Sequence, residues 1–342
     1  MLKHYVAVAL RNVRSAPFTS AVNLLTLSVG LVCFVTAYAF VTFWGSAEQH
    51  FQKARDIYVL ALTLKNSEDA PVSAITSASA TISVAEIDNS LRAPEVAAEF
   101  LRNDYPAISK IARSVTIDDK TPVASGGRAE RLFGIAVDPE FLDMFDLPFV
   151  AGDARTALAS PRSAVITREY ATRLFGTGEA IGKPLVIGNT VDATVTGVID
   201  AIPEPSHLGR SANARMPVDL IASRDVFEAL QAGRAPPAQF AWLLTNSIVY
   251  LYLPPSGGLS PDALRRQLGE FVERHVPAEI RKGLNYSLGL EPVSALLEGT
   301  GDFRGTGLSF TAVLLLLSGL VLGVACVNYA NLATARAARR VR

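Results

Sequence analysis

Lys183 follows Gly182 directly in the stretch RLFGTGEAIGKP (173–184), and a lysine behind a glycine-rich turn could serve as a phosphate cradle. Such a loop aims converging backbone N–H groups at phosphate. It needs four residues between its glycines and Ser or Thr after the lysine to hold Mg²⁺. Here five residues separate Gly176 from Gly182, and Pro184 follows the lysine. Proline supplies neither hydroxyl nor N–H and disfavours a helical step at Lys183. The stretch is therefore read as a chain reversal: a helix over 167–175, a turn at Gly176 and Gly178, and a strand beginning in IGKPLVI. If ATP matters to this protein, another chain or domain binds it.

The remaining reactive side chains assemble no machinery either. His4, His50, His207 and His275 are scattered without metal-ligand spacing, and no G-x-S-x-G nucleophile motif occurs. Acidic pairs such as Asp118 and Asp119 read as solvated loop residues. The expectation is a non-enzyme with no catalytic residue, no cofactor and no metal.

The chain does carry long apolar segments. Its 342 residues are 49% hydrophobic, and the excess is concentrated at 18–44 (FTSAVNLLTLSVGLVCFVTAYAFVTFW) and 309–332 (SFTAVLLLLSGLVLGVACVNYANL), both uncharged. Each exceeds the roughly 20 residues that span a bilayer core of about 30 Å, so two transmembrane helices are expected. The first is too long for the apolar part of a cleaved signal peptide and ends in an aromatic anchor, Phe43 and Trp44. Gly319 and Gly323 give the second span a small-xxx-small face for close packing by another helix. Both cysteines, Cys33 and Cys326, fall inside the spans and are read as packing residues, so no disulfide framework exists between them.

Charge orients the spans. Lys3, Arg11 and Arg14 precede the first, Arg336, Arg339, Arg340 and Arg342 close the chain, and neither end has an acidic residue. Basic flanks stay cytoplasmic, so both ends lie inside and residues 45–308 outside. Seven of the 32 basic residues sit in those ends, which leaves the intervening region, with all 32 acidic ones, at about −7. That balance excludes nucleic acid as a partner.

The expected order is a cytoplasmic amphipathic helix lying on membrane lipid over 1–17, a span over 18–44, an exported region over 45–308, a span over 309–332 and a basic cytoplasmic end over 333–342. Within the exported region, DIYVLALTL (56–64), PEVAAEFLRNDY (94–105) and ISKIARSVTI (108–117) read as strand, helix and strand. Residues 65–92, rich in Ser, Ala and Thr, read as a loop. The same layout recurs at 247–255, 260–276 and 286–293, where Ser260 is an N-cap with Pro261 at the first helical position. The fold class is α+β: a split βαβ pair over 45–118 and 247–308, interrupted at 119–246 by a strand-rich lobe.

Several blocks, in this order, resemble the MacB/FtsX-like permease family of ABC transporters. They are YVAVALRNVRSAPFTSAVNLLTLSVGL, LDMFDLPFVAGDARTAL, SAVITREYATRLFG with IGKPLVI, VTGVIDAIPEPSHL and GVACVNYANLATARAARRVR. The resemblance implies a permease of the bacterial inner membrane with a MacB-like periplasmic core domain between its first two spans. Its implied partners are an ABC ATPase subunit, a second permease copy or half, and a periplasmic adaptor. It further implies mechanotransmission, in which ATP-driven motion inside moves the periplasmic domains for export or regulation of an envelope enzyme. Family members have four or eight spans, so this chain is expected to be the front part of a longer permease. A two-span sensor or binding module is the alternative.

Overall fold

The computed structural model describes residues 17–66, 74–76, 81–83, 87–176, 179–209, 216, 218–233, 238–298 and 310–340. The amphipathic helix expected over 1–17 lies outside them, apart from Pro17. Two compact units form: Met1–Ser46 with Gly301–Arg342, and Ala47–Thr300.

The first unit opens with helix α1, Pro17–Gly45, whose proline occupies the turn where a missing N–H costs nothing. Its Ser20–Gly45 portion is, among the described residues, the one helix long and apolar enough to cross a membrane.

The central unit begins its sheet with β1, Ile57–Asn66, apolar from Ile57 to Leu62 because both faces are covered there. The region expected to be a loop contains three short strands: β2 (Ala74–Thr76) and β3 (Thr81–Ser83) form a hairpin, and β4 (Ile87–Ser90) pairs with β1 through Leu62↔Ser90 and Leu64↔Ile87. Backbone pairing beside the end of β1 overrides the polar composition there.

Then follow α2 (Val96–Asp104), β5 (Lys110–Ser125), β6 (Arg128–Val137), α3 (Glu140–Met144), β7 (Phe149–Ala151) and β8 (Ser163–Thr167). The lobe is completed by α4 (Arg168–Phe175), β9 (Pro184–Ile187), β10 (Val191–Ile199), β11 (Leu220–Ser223) and α5 (Arg224–Leu230). The chain returns through β12 (Ser247–Tyr252), α6 (Pro261–His275), α7 (Ala278–Gly283), β13 (Leu284–Pro292) and α8 (Ala295–Glu298).

The main sheet runs β13-β1-β12-β5-β6-β11-β8-β10-β7, with β4 beside β1 and β9 against both β10 and β5. Its first four strands are antiparallel and interleave the two β-α-β units in a β-α-β-β-α-β arrangement. The lobe enters after β5 and leaves before β12. It shares the sheet, because β5 continues past residue 118 to pair with β6 and β9. Asp118 and Asp119 are therefore strand residues beside a register irregularity, not loop residues, since pairing with β6 carries the backbone through them.

Alternation along β1 divides the core. Leu60, Leu62 and Leu64 pack with Leu101 of α2 and Leu264 and Phe271 of α6. Val59 and Ala61 face the other way, toward Phe141, Phe145 and Tyr250. Ser260 caps α6 by accepting from the Ala263 N–H at 3.2 Å.

The glycines of the opening stretch act as turns. Gly176 ends α4 at φ +76°, and Gly182, at φ +78°, donates its N–H to Val195 O at 2.8 Å just before β9. Gly178 lies outside the described residues. Helix α9, Phe310–Arg340, closes the chain, with an apolar stretch over Ala312–Val327 that is shorter than a full span.

Candidate functional site

Within the first unit, α1 and α9 pack through small residues. A Cβ on Gly30 would lie 3.2 Å from Ala325 Cβ and 3.4 Å from Leu322 Cα, so any larger residue would push the helices apart by at least a few tenths of an ångström. Ala37, Ser318 and Ala325 are buried, whereas Leu24, Val32, Leu320 and Val324 point outward. Ser318 satisfies its hydroxyl on Leu314 O at 2.8 Å within its own helix. Gly319 and Gly323 are exposed, and nothing lies within 4 Å of a Cβ built on either. They take no part in the α1–α9 contact and leave an open small-residue face on α9. Sequence reading passed over Gly30, a lone glycine whose only signal is its position within an apolar span. Phe40 and Phe43 pack on Trp44 at 5.8 and 5.5 Å, which clusters the aromatic end of α1.

The central unit holds a buried ionisable network built where its chain begins. Glu48 is 1% exposed, and its backbone takes φ +62°, a conformation that costs a side-chain-bearing residue energy. Its N–H donates to Pro205 O at 3.1 Å. Its carboxylate accepts from Ser206 Oγ at 2.9 Å and from the His207 N–H at 2.5 Å. His207 Nδ1 lies 3.0 Å from Glu48 Oε1, an electrostatic approach without hydrogen-bond alignment. On its other side, His207 Nε2 is 3.0 Å from the Tyr250 hydroxyl, which reaches Ser114 Oγ at 3.4 Å.

Burial alone would raise the Glu48 carboxyl, but attraction from His207 and its backbone N–H bond, with a further bond from Ser206, hold it below the usual carboxylate range. His50 is lowered, first by burial, and its Nε2 has no partner. Burial drives the Tyr250 phenol far above its ordinary value, so it stays protonated.

A second charged cluster is structural. Asp138 receives a fork from Arg113, Nε to Oδ2 at 2.8 Å and Nη2 to Oδ1 at 2.9 Å, and Arg102 Nη2 adds a contact at 3.2 Å. This ties α2 and β5 to the end of β6. Burial raises the Asp138 carboxyl and the Arg113 contacts lower it further, for a net depression.

A cavity of about 610 Å³ opens beside the start of α4, lined by Thr167, Arg168, Asp200, Ile202, Glu204 and Val218. Arg168 and Asp200 pair across it at 3.2 Å. Of the other histidines, His275 at the end of α6 contacts Asp104 Oδ2 of α2 through Nε2 at 2.7 Å, and His4 lies outside the described residues. Among the described residues no three His, Cys, Asp or Glu converge as a metal site.

Known proteins share this architecture. The MacB-like periplasmic core domain family matches residues 20–271. A domain of a Porphyromonas gingivalis protein named as a permease is similar at TM-score 0.52 and 21% identity, covering 71% of this chain and 91% of that one. At that identity the likeness concerns the fold alone. The periplasmic region of MacB from Actinobacillus actinomycetemcomitans gives TM-score 0.42 at 10% identity, with 71% and 94% covered. The extracellular domain of the noncanonic ABC-type transporter YknZ from Gram-positive bacteria gives 0.40 at 11%, with 68% and 98% covered. No curated protein matches the sequence. Because the family match runs from α1 through every strand up to β12 and into α6, this chain belongs to the MacB-like periplasmic core domain family.

Proposed function

We propose that this chain is a permease component of an ABC transporter, itself not an enzyme, that works with an ATPase subunit or domain. The observation that carries the reading is the family match over residues 20–271, which joins an apolar helix to the periplasmic core domain. In this reading α1 and the apolar part of α9 both cross the bacterial inner membrane, with the basic ends in the cytoplasm and the central unit in the periplasm. Outward-facing Leu24, Val32 and Leu320 support a lipid environment, because an apolar surface of this kind is unfavourable in water. The open face at Gly319 and Gly323 suits a helix from a second permease copy or half. ATP-driven motion inside would then move the periplasmic domain by mechanotransmission, for export or for control of an envelope enzyme, with an adaptor as a further partner.

The test is purification of the tagged full-length gene product from native membranes. The reading expects a Walker-motif ATPase to co-purify, and loss of that partner when the ATPase gene is deleted. Recovery of the protein from intact membranes with no ATPase would overturn it.

A further inference from the structure

The first residues of the central unit are attached to the sheet in an unusual way. Ala47, Glu48 and Phe51 are buried although they follow α1 almost immediately. Glu48 binds the 205–207 turn through the bonds described above, and the Phe51 ring meets Phe145 edge-on at 5.2 Å. The Gln52 N–H donates to Asp146 Oδ2 at 3.2 Å, and Lys53 Nζ donates to Asp143 O. These direct contacts all go to the inserted lobe. Only through His207 does the network reach β12 and β5, at Tyr250 and Ser114.

Two features of this attachment favour its release. A glutamate at φ +62° holds a strained backbone that relaxes once the segment is free. A carboxylate 1% exposed gives up hydration that it would regain outside. Both costs are offset only by the seated contacts. We infer that residues 47–53 form a releasable strap, with the Glu48 carboxylate seated on Ser206 and His207 as its lock. In the seated state the strap is held on the lobe turns at 143–146 and 205–207. In the released state Glu48 is hydrated, its backbone leaves the left-handed region, and His207 keeps its Tyr250 contact.

The groups around the lock are His207 from the 205–207 turn, His50 from the strap itself and Tyr250 from β12, with Arg92 acting on Tyr250. Asp143 and Asp146, at the end of α3, hold the far end of the strap. Protonating Glu48 removes the charge that the His207 N–H and the Ser206 hydroxyl bind, so acid opens the strap.

Hydrogen–deuterium exchange on the full chain in nanodiscs tests this, with rates corrected for the intrinsic pH dependence of exchange. The amides of Glu48, Phe51, His207 and Leu208 should lose protection together, at least tenfold, as pH falls below the usual carboxylate range, while 57–64 stays protected. E48Q should show the same loss at neutral pH, and Y250F a smaller one confined to 206–208. Loss of protection at 48 and 207 only when 57–64 also opens would overturn the strap, as would wild-type protection in a folded E48Q. The wild-type titration decides the matter if E48Q does not fold.

Discussion

The two units place large and small side chains in opposite ways. In the central unit Phe141, Phe145, Tyr250 and Phe271 are fully buried. In the α1–α9 unit the buried positions among the described residues are Gly30, Ala37, Ser318 and Ala325, and large residues such as Leu24, Val32, Leu320 and Val324 face out. Water drives the first arrangement, because removing apolar area from it is the main favourable term in folding. The second arrangement is what lipid asks for: hydrocarbon offers no gain from burying leucine, so helices approach through small residues and dispersion contacts. One chain therefore follows two packing rules, and the change occurs near Ser46, where the units divide.

Substitutions can break this contrast. Phe141→Ala should have the largest effect, destabilising the central unit by about 3–5 kcal/mol and lowering its denaturation midpoint, with membrane association unchanged. Val32→Arg, on the outward face of α1, should cost about 2.5–3.5 kcal/mol of membrane insertion and move protein out of the membrane fraction. Val150→Arg, at a comparably exposed site of the central unit, should change stability by no more than about 0.5 kcal/mol. Equal effects of the two arginines would remove the distinction between the units.

Glycine substitutions sharpen the contrast within the first unit. Gly30→Leu should separate α1 from α9 at a cost of about 1–3 kcal/mol, read as lost cross-linking between cysteines placed on the two helices. Gly323→Leu should leave that cross-link intact, because nothing meets its side chain in this chain. If helices from two copies pack on the open face, it should instead weaken their association in detergent.

Acid should destabilise the central unit more gradually. His50 is lowered by burial, so the unfolded chain takes up its proton first, and stability falls as pH drops below the ordinary value of 6.5. Glu48 and Asp138 are both depressed when folded, so their contributions, complete above the usual carboxylate range, are lost as pH falls through their folded values. Denaturant midpoints at pH 8, 6 and 4 should decrease in that order; a constant or rising series would contradict the assigned environments.

Local signals made much of this fold legible. The capped helix at Ser260 shows in its Ser-Pro-Asp start and in the spacing of Leu264, Leu268, Phe271 and Val272. The turn at Gly176 shows in the glycine itself. The limit at residue 118 was invisible because β5 is extended by partners, β6 and β9, that lie later in the chain. The strands within 65–92 were hidden for a related reason, since pairing with β1 formed β4 against its composition.

The Glu48 network was beyond sequence reading altogether. Its donors are 158 and 159 residues away, and a glutamate just past an apolar helix looks like any solvated residue. Gly319 and Gly323 stood out because their spacing forms a motif, whereas Gly30, which makes the contact within this chain, has no motif.

The most direct test of the two-environment account is a topology map, with a reporter active only outside the cytoplasm fused after residue 150 and, separately, after residue 340. The account predicts activity at 150 and none at 340. Activity at 340 with none at 150 would contradict it and place the central unit inside the cell.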